Sequence, residues 1–264
     1  MTSKYTSKLA GQRVMVLGAT SGIGFCVAEA AFKNGAHLVL SSSNQSKLDK
    51  TVARLRETYP ERTQQTIVTQ VCDLSDVTNL DRNIETLFKA ATNNGELKLN
   101  HIASTAGDGL SIIPIAQATP EAIYTGMTVR FTAQAILAKY IPTYMEVSPN
   151  SSFTFTSGAR GKRPAAGWSL ITAMCGAVEG LMRGLTVDLR PIRVNVVSPG
   201  AVHTELFDQF PREALEPMLE SFRQATTTGT VGTPADVAES YIYLMKDNFA
   251  TGSVIDSNGG SVLV

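Results

Sequence analysis

The chain has 264 residues, 43% of them hydrophobic, and its 23 basic side chains balance 23 acidic ones. That size and apolar content suit one globular domain spanning residues 1–264, with a sizeable core. The absence of a charge excess argues against nucleic acid and against an acidic membrane as partners.

Strand-like and helix-like segments alternate along the chain. Val14–Leu17 reads as a buried strand, Gly22–Asn34 as a helix stopped by Gly35, and His37–Leu40 as the second strand. Ser41-Ser42-Ser43 reads as a turn leading to a helix over Ser46–Tyr59, which Pro60 ends. Thr66–Cys72 is the next strand, Leu80–Thr92 a helix and His101–Ser104 a short strand. Pro120–Met145 contains a long helix, Phe153–Ser157 is a strand and Thr172–Leu189 a helix. Arg193–Val197, Ala235–Met245 and Ser253–Asp256 complete the series as strand, helix and strand. This α/β alternation predicts a Rossmann-type, doubly wound parallel sheet with helices on both faces.

Cys26, Cys72 and Cys175 show no metal-ligand spacing and leave an odd count, as expected of reduced thiols inside a cell. His37, His101 and His203 are scattered, so no metal site is expected. The N-terminus is polar, and no stretch reads as long enough to cross a bilayer, so a cytosolic location is expected.

The chemistry begins at Gly18, Thr20, Ser21, Gly22, Ile23 and Gly24, a glycine-rich turn between the first strand and the first helix. Such a turn lets backbone N–H groups and a helix N-terminus meet a pyrophosphate. Three further blocks follow: Ser104-Thr105-Ala106-Gly107, Arg193-Val194-Asn195-Val196-Val197-Ser198-Pro199-Gly200 and Asn258-Gly259-Gly260. In this order and spacing, over the whole chain, they resemble the short-chain dehydrogenase/reductase family.

That resemblance implies a nicotinamide cofactor. Family members that use NAD carry an acid at the end of the second strand to hold the ribose 2′-OH. Ser42 occupies that place here, and Ser43 follows, so nothing repels a 2′-phosphate and NADP(H) is favoured. Asp73, with Leu74 beside it, matches the acid that binds the adenine amine, although a helix N-cap with Ser75 reads nearly as well. Ala106 and Gly107 stand at the expected nicotinamide edge, and Pro199, Gly200, Val202 and Thr204 resemble the segment that holds the carboxamide.

The family's catalytic tetrad is Asn, Ser, Tyr and Lys, and the matching positions here read Arg130, Gly158, Ile171 and Cys175. Ser157 lies one residue before the Ser position, and strand alternation turns it to the other face. Isoleucine donates no proton. A ketone that receives hydride becomes an alkoxide and needs an acid at that moment. An iminium already carries the positive charge and needs only a nearby anion. Asp108, Arg130 and Trp168 are the candidate catalytic residues for such a flat, aromatic, cationic ligand. Their plainer readings are a turn with Gly109, a cofactor clamp, and a lid or dimer contact.

With Pro164-Ala165-Ala166-Gly167-Trp168, these residues resemble more narrowly the fungal reductase/Diels–Alderases of prenylated indole alkaloid pathways. The resemblance implies NADPH-dependent reduction of a cyclic iminium derived from a prenylated Trp–Pro dipeptide aldehyde. The product becomes an azadiene, and an intramolecular [4+2] cycloaddition then builds a bicyclo[2.2.2]diazaoctane. The partners implied are that small molecule and further copies of the chain, as dimer or tetramer. Two other readings remain: a silent NADP(H)-binding regulator, and a ketone reductase recruiting Asp108 or Tyr124 as its acid.

Overall fold

In a computed structural model, residues 5–109, 112–205, 207 and 211–264 are described. Seven parallel strands form one sheet in the order β3-β2-β1-β4-β5-β6-β7. They are β1 Arg13–Leu17, β2 His37–Ser42, β3 Ile67–Val71, β4 His101–Ser104, β5 Ser152–Thr156, β6 Arg193–Pro199 and β7 Val254–Ser257. The helices are α1 Gly22–Lys33, α2 Gln45–Thr58, α3 Leu80–Ala91, α4 Pro120–Met127, α5 Ala133–Tyr144, α6 Ser169–Asp188, α7 Arg212–Gln224 and α8 Pro234–Lys246.

Alternation along β1 divides the core. Val14 and Val16 face a cluster with Phe32, Leu48 and Tyr241, from α1, α2 and α8. Met15 and Leu17 face a cluster with Phe88, Leu137 and Met182, from α3, α5 and α6. The strand order reverses direction between β1 and β4, and Leu17 pairs there with both Ser41 and Ser104. A crevice beyond the carboxyl ends of the strands at such a switch point is where a doubly wound sheet takes ligands.

Two expectations are corrected. Ser41 and Ser42 belong to β2 rather than to a turn, because they continue its ladder to Gln70 and Val71. The long helix expected within Pro120–Met145 is present, running through α4 and α5 without a gap, with a π-helical turn, Thr128–Thr132, between them. α6 is long and apolar enough to cross a membrane, with a mean hydropathy of 1.3. Met174, Cys175, Val178 and Met182 bury one face of it against the sheet, so it serves as a core layer. The sequence pattern also missed α7, whose Pro217 interrupts an otherwise helical run.

Candidate active site

The cofactor half of the crevice is stitched by backbone. The N–H groups of Gly18 and Ala19 donate to the Ser41 carbonyl at 3.0 and 3.2 Å. Thr105 donates from its N–H and its hydroxyl to the Leu17 carbonyl, at 3.0 and 2.8 Å. A Cβ on Gly24 would collide with the Gly18 carbonyl and the Thr105 hydroxyl, so α1 approaches the turn this closely only through glycine. Ser21 is the N-cap of α1 but makes no side-chain bond to the helix. The Gly22 N–H is taken instead by the Glu205 carboxylate at 2.8 Å. An anion thus already sits where α1 offers its positive end.

The other expected cofactor residues surround this turn. The Thr20 hydroxyl lies 3.4 Å from that of Ser42, at the end of β2, and the exposed Ser43 follows. Thr204 faces Gly22, with its methyl 3.1 Å from where a Gly22 Cβ would stand. Pro199 ends β6, the Gly200 N–H donates to the Ser257 carbonyl at 3.0 Å, and Val202 bridges to Gly232. Asp73 does not cap a helix: α3 starts later, with Asn79 at its N-cap. The Asp73 carboxylate instead closes a turn, accepting from the Ser75 hydroxyl at 2.7 Å and the Ser75 N–H at 2.9 Å. Those bonds hold its pKa below the usual carboxylate value. Leu74 beside it is buried, and burial pushes the Cys72 thiol up to about 12.

The substrate half is a cavity of about 300 Å³ between the loop after β4, α4 and the first turns of α6. Its wall is apolar, with Ile123, Met127, Leu170, Ile171 and Met174 among the residues that form it. Asp108 and Arg130 are the only ionisable side chains on its described wall, which carries no hydroxyl, imidazole or ammonium group. The π turn carries Arg130 towards the β4 loop, a common use of such turns at functional sites. Its Nη2 donates to the Asp108 carbonyl at 2.6 Å, and its Nε lies 3.5 Å from Asp108 Oδ1. Burial pushes the guanidinium pKa down, against an opposing pull from Asp108. A Cβ on Gly107 would lie 2.5–2.7 Å from guanidinium atoms, so this packing requires glycine there. Arg130 is therefore held mainly by the backbone of 107–108, while the Asp108 side chain keeps 37% of its surface exposed.

Ile171 forms part of the wall. Cys175 is buried, 3.6 Å from where a Gly158 Cβ would stand, and burial raises its thiol pKa. Ser157 is not turned to the other face as alternation suggested: its hydroxyl faces α6, donating to Glu179 at 3.2 Å and lying 3.5 Å from the Cys175 carbonyl, although it is not on the cavity wall. Trp168 is placed differently from the expected stacking surface. It precedes α6, half-buried, with the Arg160 guanidinium 5.1 Å from its ring centroid, and it is not part of the cavity wall. Tyr124 is 72% exposed and also off the wall.

Among the described residues, no trio of His, Cys, Asp or Glu stands together to hold a metal. His101 bonds to Ser152 at 2.9 Å, and burial, helped by Arg193, lowers its pKa to about 3. A wider depression of about 530 Å³, which Gly11, Asn34, Gly35 and Arg62 help to line, lies at the amino ends of the strands. It is remote from the switch point and from the exposed N-terminus of α1.

Sequence reasoning missed Glu205 and most of the wall. Glu205 simply follows Thr204, and the wall residues have the same apolar character as core positions.

Comparison with known proteins agrees with this geometry. A family model described as an SDR-like Rossmann domain matches residues 5–264. The short-chain dehydrogenase/reductase malC of Malbranchea aurantiaca is 45% identical over 263 residues, covering 99% of this chain and 98% of the relative. The solved structure of that reductase/Diels-Alderase superposes with a TM-score of 0.92 at 44% identity, over 98% of this chain and 100% of the other. The short-chain dehydrogenase/reductase fsr5 of Gibberella fujikuroi is 38% identical, covering 98% of each chain. A Burkholderia cenocepacia short-chain dehydrogenase solved with NADP shares the fold, with a TM-score of 0.80 at 21% identity over 96% of this chain and 99% of the other.

Proposed function

The chain belongs to the short-chain dehydrogenase/reductase family, as an oxidoreductase on a Rossmann sheet, and from that premise we propose that it is an NADPH-dependent iminium reductase. Its substrate is a cyclic iminium on a prenylated indole scaffold, and the reduced product undergoes an intramolecular [4+2] cycloaddition in the same pocket. The reductase/Diels-Alderase named for the Malbranchea aurantiaca relative supports this reading.

The residues fit the cofactor. The close approach at Gly24 and the N–H of Gly22, already bonded to a carboxylate, form a cradle for pyrophosphate. Thr20, Ser42 and Ser43 place hydroxyls where an acid would reject a 2′-phosphate. NADPH, when bound, supplies the hydride.

One observation carries the choice of substrate: among the described residues the wall presents Ile171, with Asp108 and Arg130 as its only ionisable groups. Such a wall gives an alkoxide no acid, but it offers a cationic nitrogen a carboxylate in an apolar setting. Arg130 acts as a positioning residue that fixes Asp108. The apolar wall folds the product so that diene lies over alkene, which lowers the entropic part of the ring-forming barrier.

The test is cofactor oxidation with a prenylated indole iminium, followed by product analysis. The reading expects oxidised cofactor and a single bicyclic stereoisomer. Oxidation with a racemic or unringed product would leave only the reductase. We also expect a homo-oligomer, paired through the exposed face of α6 around Gly180 and Val187. A monomer by light scattering at micromolar concentration would overturn that.

A further inference from the structure

We propose that Glu205 is a built-in competitor for the cofactor's pyrophosphate, and that its carboxylate must leave the N-terminus of α1 before NADPH seats. This rests on the cofactor reading above. The contact is specific: Glu205 Oε2 accepts from the Gly22 N–H at 2.8 Å, joining residues 183 positions apart. The helix end lacks the compensation it would normally have. Ser21 gives no side-chain cap, and the first turn of α1 contains no acidic residue. Glu205 therefore supplies both an acceptor and the negative charge that the helix dipole favours. One N–H makes one strong bond, so a pyrophosphate oxygen at Gly22 excludes the carboxylate. Two anions crowded at that point also repel each other.

The position of Glu205 couples this exchange to the rest of the site. It directly follows Thr204, whose side chain packs over Gly22, and Val202 anchors the segment by its bridge to Gly232. The carboxylate is exposed, so it leaves the helix end for water without being buried elsewhere. The device weakens cofactor binding and eases release of the spent cofactor. It also keeps the helix terminus satisfied between turnovers.

The test is equilibrium titration of NADPH and of adenosine 2′-monophosphate against the wild type, Glu205→Gln and Glu205→Ala. The second probe carries the 2′-phosphate but no pyrophosphate. Both variants should bind NADPH about twofold to fivefold more tightly, in line with an exposed charge at a helix terminus. Binding of adenosine 2′-monophosphate should not change. Unchanged or weaker NADPH binding by Glu205→Gln would overturn this proposal alone, as would equal tightening of both probes, which would reflect general surface charge. Failure of every form to bind NADPH would overturn the cofactor reading and this proposal together.

Discussion

The two halves of the switch-point crevice are built from different materials. The cofactor half is made by backbone: Gly18 and Ala19 N–H groups on the Ser41 carbonyl, Thr105 on the Leu17 carbonyl, and a glycine contact where no side chain fits. The other half is made by side chains, an apolar wall with one carboxylate and one guanidinium among its described residues. Backbone geometry tolerates little substitution, whereas a wall of side chains is rewritten one residue at a time. A glycine turn of the family's kind thus stands beside an apolar cavity whose described wall carries no hydroxyl, imidazole or ammonium group.

The sharpest way to break this comparison is to add one carbon to each half. Gly24→Ala should cost at least about 1–3 kcal/mol by overpacking and abolish NADPH binding. Gly126→Ala, in α4 on the cavity wall, has open space for its methyl and should gain about 0.5–1 kcal/mol of helix stability. Thermal melts and cofactor titration measure both. Equal tolerance at the two sites would erase the distinction.

Next in size is the polar end of the cavity. Asp108→Ala should slow iminium reduction about 100-fold, as loss of a preorganised electrostatic group does, with NADPH affinity within about twofold of wild type. Arg130→Ala should slow it less, and Gly107→Ala should mimic Arg130→Ala by displacing the guanidinium. Single-turnover rates with separate cofactor titrations read the two effects apart. An unchanged rate in Asp108→Ala would remove the carboxylate from the chemistry.

Smaller still is the effect at the mouth. Trp168→Leu removes the ring beneath Arg160 and should lower stability by about 0.5–1 kcal/mol while leaving the reduction rate intact. A changed product ratio would bring the indole ring into reach of the substrate and revise its place outside the wall.

A separate effect, read against pH, lies in the sheet beneath both halves. His101 stays neutral in the fold because its pKa is lowered to about 3, while the unfolded chain binds a proton near the ordinary value of about 6.5. The unfolded state therefore holds the extra proton between those values, and stability falls as pH drops through that window, by at most about 1.4 kcal/mol per unit. His101→Gln should flatten that slope in denaturant titrations at several pH values. A slope equal to that of the wild type would assign the pH dependence to other groups.

Most of the cofactor half was legible in the sequence because close backbone approach leaves glycines at fixed spacing. Gly18, Gly22 and Gly24 mark the turn, and hydrophobic alternation marks the strands that carry it. The substrate half was legible only in part. Asp108 and Arg130 stand out as charges beside a conspicuous motif, and they do meet. Trp168 is equally conspicuous but packs on Arg160, since nothing local tells which way a ring at a helix start will turn. The π turn that aims Arg130 leaves no compositional mark, and Glu205 reaches Gly22 only through tertiary folding.

The central claim is that this cavity reduces a substrate that brings its own positive charge. The most direct measurement compares NADPH oxidation by one enzyme preparation on a cyclic iminium and on the ketone of the same shape. The account predicts turnover of the iminium and none of the ketone, because Ile171 and its neighbours on the wall offer no proton to an alkoxide. Comparable turnover of the ketone would contradict it and would require a proton donor beyond the described residues of the cavity wall.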